Sequence, residues 1–315
     1  MTNKFSKAVL IGISDSSLDA KYWREIDALV QTLVFVDKNN SVLIRKETID
    51  ADAVLLSFGV PFTKKDIDAA PKLKFIGILA TAFGQVDVEY AKSKGVSVCN
   101  IPGYSTEAVA EWTFAAILDA IRGLEEGKLR GRSGNYNESG IAAWEIKDKT
   151  FGVIGLGSIG MRVAQIATGF GAKIIYWSRS EKLDAKKLGF KLVDIDTLLK
   201  TSDFISINLA ENSDTKKFLD AEKLAKIKSG AVVINTAPMD IVDIPALLLR
   251  LEKCDLTFIL DHSDQISSDD AKKLAAHKNC IVYPPIAYIT LEARQNKQQI
   301  FVENMKKFMA DNKLQ

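Results

Sequence analysis

The sequence predicts an α/β protein made of two parallel-sheet domains, and three observations carry that prediction. Short β-branched runs alternate with amphipathic stretches along the chain, the alternation starts afresh at Lys149, and a glycine-spaced turn joins the first strand of that second series to a helix. Hydrophobic residues make up 47% and charged residues 26% of the 315 positions, enough apolar material for two cores.

In the first series "KAVLIG", "LVFV", "AVLLSF", "FIGILA" and "VSVC" predict strands. Leu18 to Val30 and Val86 to Lys94 predict helices, the second stopped by Gly95. A long helix follows, capped by Ser105 or Thr106. In it Val109, Trp112, Ala116, Ile117, Ala120, Ile121 and Leu124 recur at three- and four-residue spacing, and Gly127 is expected to end it. The stretch "GKLRGRSGNYNESGIAAW" then breaks periodicity with four glycines and three cations. It reads as an exposed connector or, alternatively, as a phosphate-binding nest; loop statistics favour the connector.

From Lys149, "TFGVIG", "AKIIYWS", "KLVD", "FISINL", "AVVINTA", "TFILD" and "CIVYPP" predict a second set of strands. The last segment, Leu291 to Met309, is amphipathic, with Ile300, Met305 and Phe308 available for packing. It is expected to return to the first domain. Residues 1–98 with 287–315 then form one discontinuous domain, and residues 99–286 the other.

Composition narrows the function classes. The 42 basic and 40 acidic residues leave a formal charge of +2, no field for nucleic acid or anionic lipid. No stretch is long and apolar enough to span a bilayer, and "MTNKFSKAVLIG" lacks a signal peptide's core, so a cytoplasmic location is expected. Cys99, Cys254 and Cys280 sit in or beside apolar runs and read as reduced packing residues. They have no metal-ligand spacing, and no metal site is expected.

The segment "TFGVIGLGSIGMRVAQIATGFGAKIIYWSRS" carries the most chemistry. Gly155, Gly157 and Gly160 form G-x-G-x-x-G directly after an apolar strand and at the opening of a helix. The first glycine makes the tight turn, the second lets backbone approach a pyrophosphate, and the third allows close helix–strand packing. Free N–H groups at the helix start then hold the anion. Strand, helix and second strand follow in the required order, which favours a dinucleotide site. An NAD site usually has an acid near the end of the second strand for the ribose 2′-OH. Here stand Ser178, Arg179 and Ser180. Without a carboxylate there is nothing to repel a 2′-phosphate, and a guanidinium can bind one, so NADP is favoured over NAD.

From Pro71 onward the chain resembles the D-isomer-specific 2-hydroxyacid dehydrogenases, the family of glyoxylate/hydroxypyruvate reductases and D-lactate dehydrogenase. The matching stretches are "PKLKFIGILATAFGQVDVEYAKSKGVSVCNIPGYSTEAVAEWTFAAIL", "GVIGLGSIGMRVAQIATGFGAKIIYWSRS", "SGAVVINTA" and "IVYPPIAYITLEA". The first seventy residues match only in their strand–helix pattern. The resemblance implies two flavodoxin-like or Rossmann-like domains with a cleft between them, a small-molecule substrate and, usually, a homodimer built around the long helix. It implies cofactor contacts from Gly155, Gly157, Ser158, Ile159 and Gly160, from Ser178 to Ser180, and from Leu209, Ala210, Thr215, Thr236, Ala237 and Asp261. It also places a substrate loop at Thr81, Ala82, Phe83 and Gly84, where Ala82 puts a Cβ at a position usually held by glycine.

The family's chemistry uses an Arg for the substrate carboxylate, a His that moves the carbonyl proton and a Glu that orients that His. By the same resemblance these positions are Pro238, Pro285 and Asp264 here. A proline side chain holds no charge and relays no proton. General acid–base help is worth ~10²–10⁴ in rate and a charge clamp about 10²–10³. Ordinary 2-oxo-acid reduction is therefore expected to be weak or absent. His262, Asp264 and Tyr288, all close to strand ends, are the candidate replacements; His277, at a polar helix end, reads as structural. Three readings follow: an oxidoreductase with a reassigned acid/base, a dinucleotide-binding sensor without turnover, and a folded paralogue with an empty cleft.

Overall fold

The computed structural model describes residues 4–311. The first sheet and its helices run β1 Phe5–Ile11, α1 Ala20–Leu29, β2 Val30–Val36, α2 Ser41–Thr48, β3 Ala53–Leu56, α3 Lys64–Asp68, β4 Phe75–Ile78, α4 Val88–Ser93 and β5 Ser97–Cys99. After α5 Thr106–Arg122 and α6 Leu124–Arg132 come β6 Thr150–Ile154, α7 Ser158–Gly169, β7 Lys173–Trp177, α8 Leu183–Lys187, β8 Lys191–Leu192, α9 Ile195–Thr201 and β9 Phe204–Ile207. The chain continues through α10 Ala221–Lys226, β10 Val232–Asn235, α11 Ile244–Leu251, β11 Thr257–Leu260, α12 Ser268–Ala276 and β12 Cys280–Val282, and ends in α13 Leu291–Asp311.

Two compact units result, Met1–Ser105 with Thr290–Gln315, and Thr106–Ile289. The divisions lie a few residues beyond those read from sequence, at the start of α5 and just ahead of α13. In the first unit the strand order is β2-β1-β3-β4-β5, in the second β12-β11-β10-β9-β6-β7-β8. Every ladder described is parallel. Strands β3, β4, β9 and β10 are buried along their whole length. That is why they read as continuous apolar runs rather than as alternation. In the first unit Phe301, Met305 and Phe308 of α13 pack into one core beside Phe5 and Phe75, with the Phe5 and Phe308 rings stacked at 5.6 Å. In the second, α5 and α7 cover one face around Phe114, Phe151 and Val163, while α9, α10 and α11 cover the other.

Three features depart from the sequence expectation. The long helix breaks at Gly123, whose left-handed φ of +60° ends α5; Gly127 lies inside α6. The first third of the supposed connector is thus helical. Arg130, one of its three cations, is spent on Glu126 and on the carbonyls of Asn137 and Ser139, bracing the turn rather than offering itself to a phosphate. Cys254 does not pack: it is exposed, with φ +51°, in the turn after α11. Several short helices the sequence did not announce are set by their N-caps, which accept backbone N–H groups: Asp194 for α9, Asp220 for α10, Asp243 for α11 and Ser267 for α12. Among the described residues no helix is long and apolar enough to cross a membrane.

Candidate functional site

The strand order of the second unit arranges the sequence-predicted residues in a row. Ser178 follows β7, Gly155 to Gly160 follow β6, and Leu209 to Thr215 follow β9. Thr236 to Pro238 then follow β10, Asp261 to Asp264 follow β11, and Pro285 to Tyr288 follow β12. All lie at carboxyl ends of parallel strands, and β6 and β9, the neighbours where the order reverses, form the switch point at which such sheets bind ligands. Five strand spacings of about 4.8 Å give this row a length of roughly 24 Å.

At the switch point each glycine is used differently. Gly155 has φ +89°, and a Cβ there would lie 2.8 Å from the Asn208 carbonyl oxygen and 2.9 Å from the Leu209 side chain. The bare backbone therefore lets the β6 turn press against the β9 turn. At Gly160 a Cβ would overlap the Gly155 carbonyl oxygen, so helix α7 can start this close to β6 only without a side chain. At Gly157 a Cβ would meet no protein atom within 4 Å. The residue is exposed and caps α7, whose first N–H groups have no helical acceptors. The fold needs a bare Cα at Gly155 and Gly160, whereas no protein contact requires one at Gly157. Ser158 is exposed beside it, and Ile159 is half-buried against the core.

Neighbouring residues shape this crevice. Thr215, nearly buried, donates its hydroxyl to the Ala210 carbonyl at 2.7 Å and accepts from the Asn212 N–H at 2.9 Å, so it sets the turn after β9. The Thr236 hydroxyl donates to the Ile207 carbonyl at 3.4 Å, and Ala237 is buried. At the end of β7 the Ser178 hydroxyl donates to the Ser180 carbonyl at 2.6 Å. The Arg179 guanidinium is exposed, its nearest carboxylate being Asp214 at 3.8 Å, beyond hydrogen-bond reach.

The other half of the row is tied together by three contacts. Asp261, 1% exposed, accepts the Ile286 N–H at 2.9 Å and the Ala287 N–H at 3.2 Å. Burial pushes its carboxyl above the ordinary carboxylate range, against these two donors, which favour the ionised form. The expected cofactor residue thus anchors the loop carrying Pro285. Gln265 accepts the Met239 N–H at 3.0 Å, joining the loop after β10 to the one after β11. Asn235, fully buried, donates to the Ala237 carbonyl at 3.0 Å and to Met239 Sδ at 3.2 Å, fixing the chain on both sides of Pro238. The sequence reading missed Gln265 and Asn235. An amide closing the otherwise apolar run "VVIN" was the available signal for Asn235.

His262 Nδ1 is buried without a hydrogen-bond partner, and Asp264 Oδ1 lies 3.6 Å from it. The side chains are 21% and 52% exposed, so the imidazole is held while the carboxylate is partly solvated. Tyr288 is 38% exposed, in the loop that Asp261 anchors. His277 lies at the end of α12, its N–H bonded to the Leu274 carbonyl, apart from this row. A second feature unseen in sequence lies beside Pro238. Desolvation, then a hydrogen bond shared with Asp240 and that residue's charge, raise the Glu211 carboxyl; Lys216 opposes them. Glu211 and Asp240 are therefore a pair of neighbouring acids, with Asp240 two residues past Pro238.

The Thr81–Gly84 loop belongs to the first unit, where Asn100 donates its side-chain amide to the Thr81 carbonyl at 2.5 Å and Phe83 is 38% exposed. Ala82 does not have a positive φ, so its Cβ is carried without backbone strain. Among the described residues no group of three or more His, Cys, Asp or Glu side chains is placed to hold a metal ion.

Comparison with known proteins agrees with this fold. A family model described as D-isomer specific 2-hydroxyacid dehydrogenase, NAD binding domain, matches residues 114–287. The glyoxylate reductase of Thermococcus litoralis is 33% identical over 276 residues, 84% of this chain and 82% of that protein. Among solved structures, D-lactate dehydrogenase from Aquifex aeolicus, complexed with NAD and lactic acid, is 27% identical, with a TM-score of 0.82 over 96% of each chain. An acyclic imino acid reductase in complex with NADPH and D-Arg is also 27% identical, with a TM-score of 0.84 over 96% of this chain and 97% of that one. With its parallel sheets, its glycine turn at the switch point and these relatives, the chain belongs to the D-isomer-specific 2-hydroxyacid dehydrogenase family and carries that family's NAD-binding domain.

Proposed function

We propose that this protein is an NAD(P)-dependent oxidoreductase, NADP favoured, that reduces a small carbonyl compound through an active site reassigned from the family's. The reading rests on the pairing of an intact glycine turn, open at Gly157, with proline at both positions where the family places its ionic chemistry. Residues Gly155 to Gly160 and the first N–H groups of α7 would hold the pyrophosphate, and Ser178, Arg179 and Ser180 a 2′-phosphate. The bound cofactor supplies the hydride.

The chain's own contribution is proton handling and charge. His262 would donate the proton to the carbonyl oxygen, with Asp264, 3.6 Å from Nδ1, holding the ring. Hydrogen bonds between catalytic groups are often long before substrate arrives, so this separation suits a relay that tightens on binding. Asp261 would act on the site indirectly, by anchoring the loop of Pro285 and Tyr288. The acids Glu211 and Asp240 beside Pro238 disfavour an anionic substrate, which supports one without a carboxylate. The imino acid reductase of similar fold, in complex with NADPH, supports both the NADP preference and a substrate other than a hydroxyacid. A cytoplasmic homodimer built around α5 is the assembly proposed from the resemblance.

The test is nicotinamide absorbance across a broad panel of carbonyl compounds with both reduced cofactors. Turnover abolished by His262→Ala, with Asp264→Asn impairing it and Tyr288→Phe leaving it, supports the relay. Turnover indifferent to His262→Ala removes it. The two prolines also favour a second reading, a dinucleotide-binding sensor. That reading predicts cofactor-dependent thermal stabilisation with no absorbance change for any substrate.

A further inference from the structure

The first unit carries a cavity of its own. It measures about 520 Å³, within the range of small-molecule sites, and opens at the carboxyl ends of β1, β2 and β3. In the order β2-β1-β3-β4-β5 the reversal falls between β1 and β3, so this is the edge at which an open parallel sheet binds a ligand. None of the residues assigned above to cofactor or substrate lines it.

Its walls are fixed by contacts within the unit. The Trp23 indole N–H donates to the Asp15 carbonyl at 2.8 Å, and its ring meets Phe35 edge-on with centroids 5.4 Å apart. Phe35 is nevertheless 42% exposed on the cavity side of this arrangement. Gly12 has φ +69°, and a Cβ there would overlap the Ser57 hydroxyl, so the floor between β1 and β3 exists only with glycine.

The wall chemistry selects a class of ligand. Asp37 directly follows β2, 25 residues after Gly12 leaves β1. In a β–α–β unit an acid at that position binds a ribose diol. One Asp37 oxygen accepts the Asn39 N–H at 2.8 Å, which orients the carboxylate and leaves lone pairs on the other. Phe35 offers a ring face to a base, and Ser14 and Ser57 offer hydroxyls to its edge. A phosphate is disfavoured. Asp15 and Asp37 outnumber Lys38, and β1 is followed by "GISDSS", with a single glycine rather than the three of a pyrophosphate turn. We propose that this cavity binds an uncharged nucleoside, with its ribose diol on Asp37 and its base against Phe35.

The experiment titrates adenosine into the full chain saturated with NADP, and separately with NAD, so that adenosine does not compete for the second unit's crevice. The readout is the Trp23 indole N–H resonance, assigned with Trp23→Phe. A saturable shift is expected. Asp37→Ala and, separately, 2′,3′-dideoxyadenosine should each weaken binding about ten- to hundredfold, and AMP should bind no tighter than adenosine. Asp37 is exposed, so the variant's melting temperature should match the parent and certify its fold. The absence of any Trp23 shift at millimolar adenosine, binding indifferent to Asp37→Ala, or tighter binding of AMP would each overturn the assignment.

Discussion

Gly157→Ala separates what the fold requires from what a ligand requires. The new Cβ meets no protein atom within 4 Å, and the backbone, at φ −84° and ψ −161°, is accessible to alanine. As an N-cap, alanine is worse than glycine by several tenths of a kcal/mol, while the stiffer unfolded chain returns about 0.4–1 kcal/mol. The two nearly cancel, so stability should change by less than about 0.5 kcal/mol and the melting temperature by no more than ~2 °C. A pyrophosphate approaching the bare Cα would instead meet a methyl group. Overpacking of that size costs about 1–3 kcal/mol, or roughly five- to 150-fold in Kd. Gly160→Ala is the contrasting variant: its Cβ overlaps the Gly155 carbonyl oxygen, so it should lower stability by more than about 2 kcal/mol even without ligand. Calorimetric titration with NADP and NAD, beside thermal melts, measures both quantities. A stable Gly157→Ala protein that binds both cofactors like the parent would refute the placement of the dinucleotide.

Three further outcomes follow from the same geometry. Asp261→Ala leaves the Ile286 and Ala287 N–H groups without their acceptor, a loss of about 3 kcal/mol readable by urea unfolding. Because burial raises the Asp261 carboxyl, the folded protein keeps that proton to higher pH than the unfolded chain. Stability should therefore fall as pH rises from about 3.9 through the raised value, and Asp261→Asn should flatten that slope. Arg179→Ala should weaken NADP about tenfold and leave NAD within about twofold; the modest size reflects an exposed guanidinium, and equal losses for both cofactors would reject the 2′-phosphate contact.

The sequence disclosed the sheets well, because fully buried parallel strands such as β9 and β10 appear as short apolar runs whatever surrounds them. It disclosed the glycine turn for a related reason: the spacing encodes local backbone geometry. Helix ends were less legible. Gly123, Gly127 and Gly131 look alike as letters, yet only Gly123 takes the left-handed conformation that breaks the helix. Pairings across the chain left no local trace. Nothing in "LAENSD" announces that Glu211 meets Asp240, and nothing in "LDHSDQ" announces that Gln265 receives the Met239 N–H. Asp261 shows the same limit. The family resemblance gave it a cofactor role, and its hold on the Ile286 and Ala287 N–H groups, 25 and 26 residues further on, had no trace in the local sequence.

The central claim is that the nucleotide crevice is retained while the groups that handle an acidic substrate are replaced. It is tested most directly by the steady-state rate of glyoxylate reduction on protein saturated with NADPH, beside the Thermococcus litoralis glyoxylate reductase. Because groups that act as a unit do not add, loss of the acid/base together with the charge clamp predicts a rate at least about 10²-fold below that relative. A rate comparable with the relative's would contradict the account.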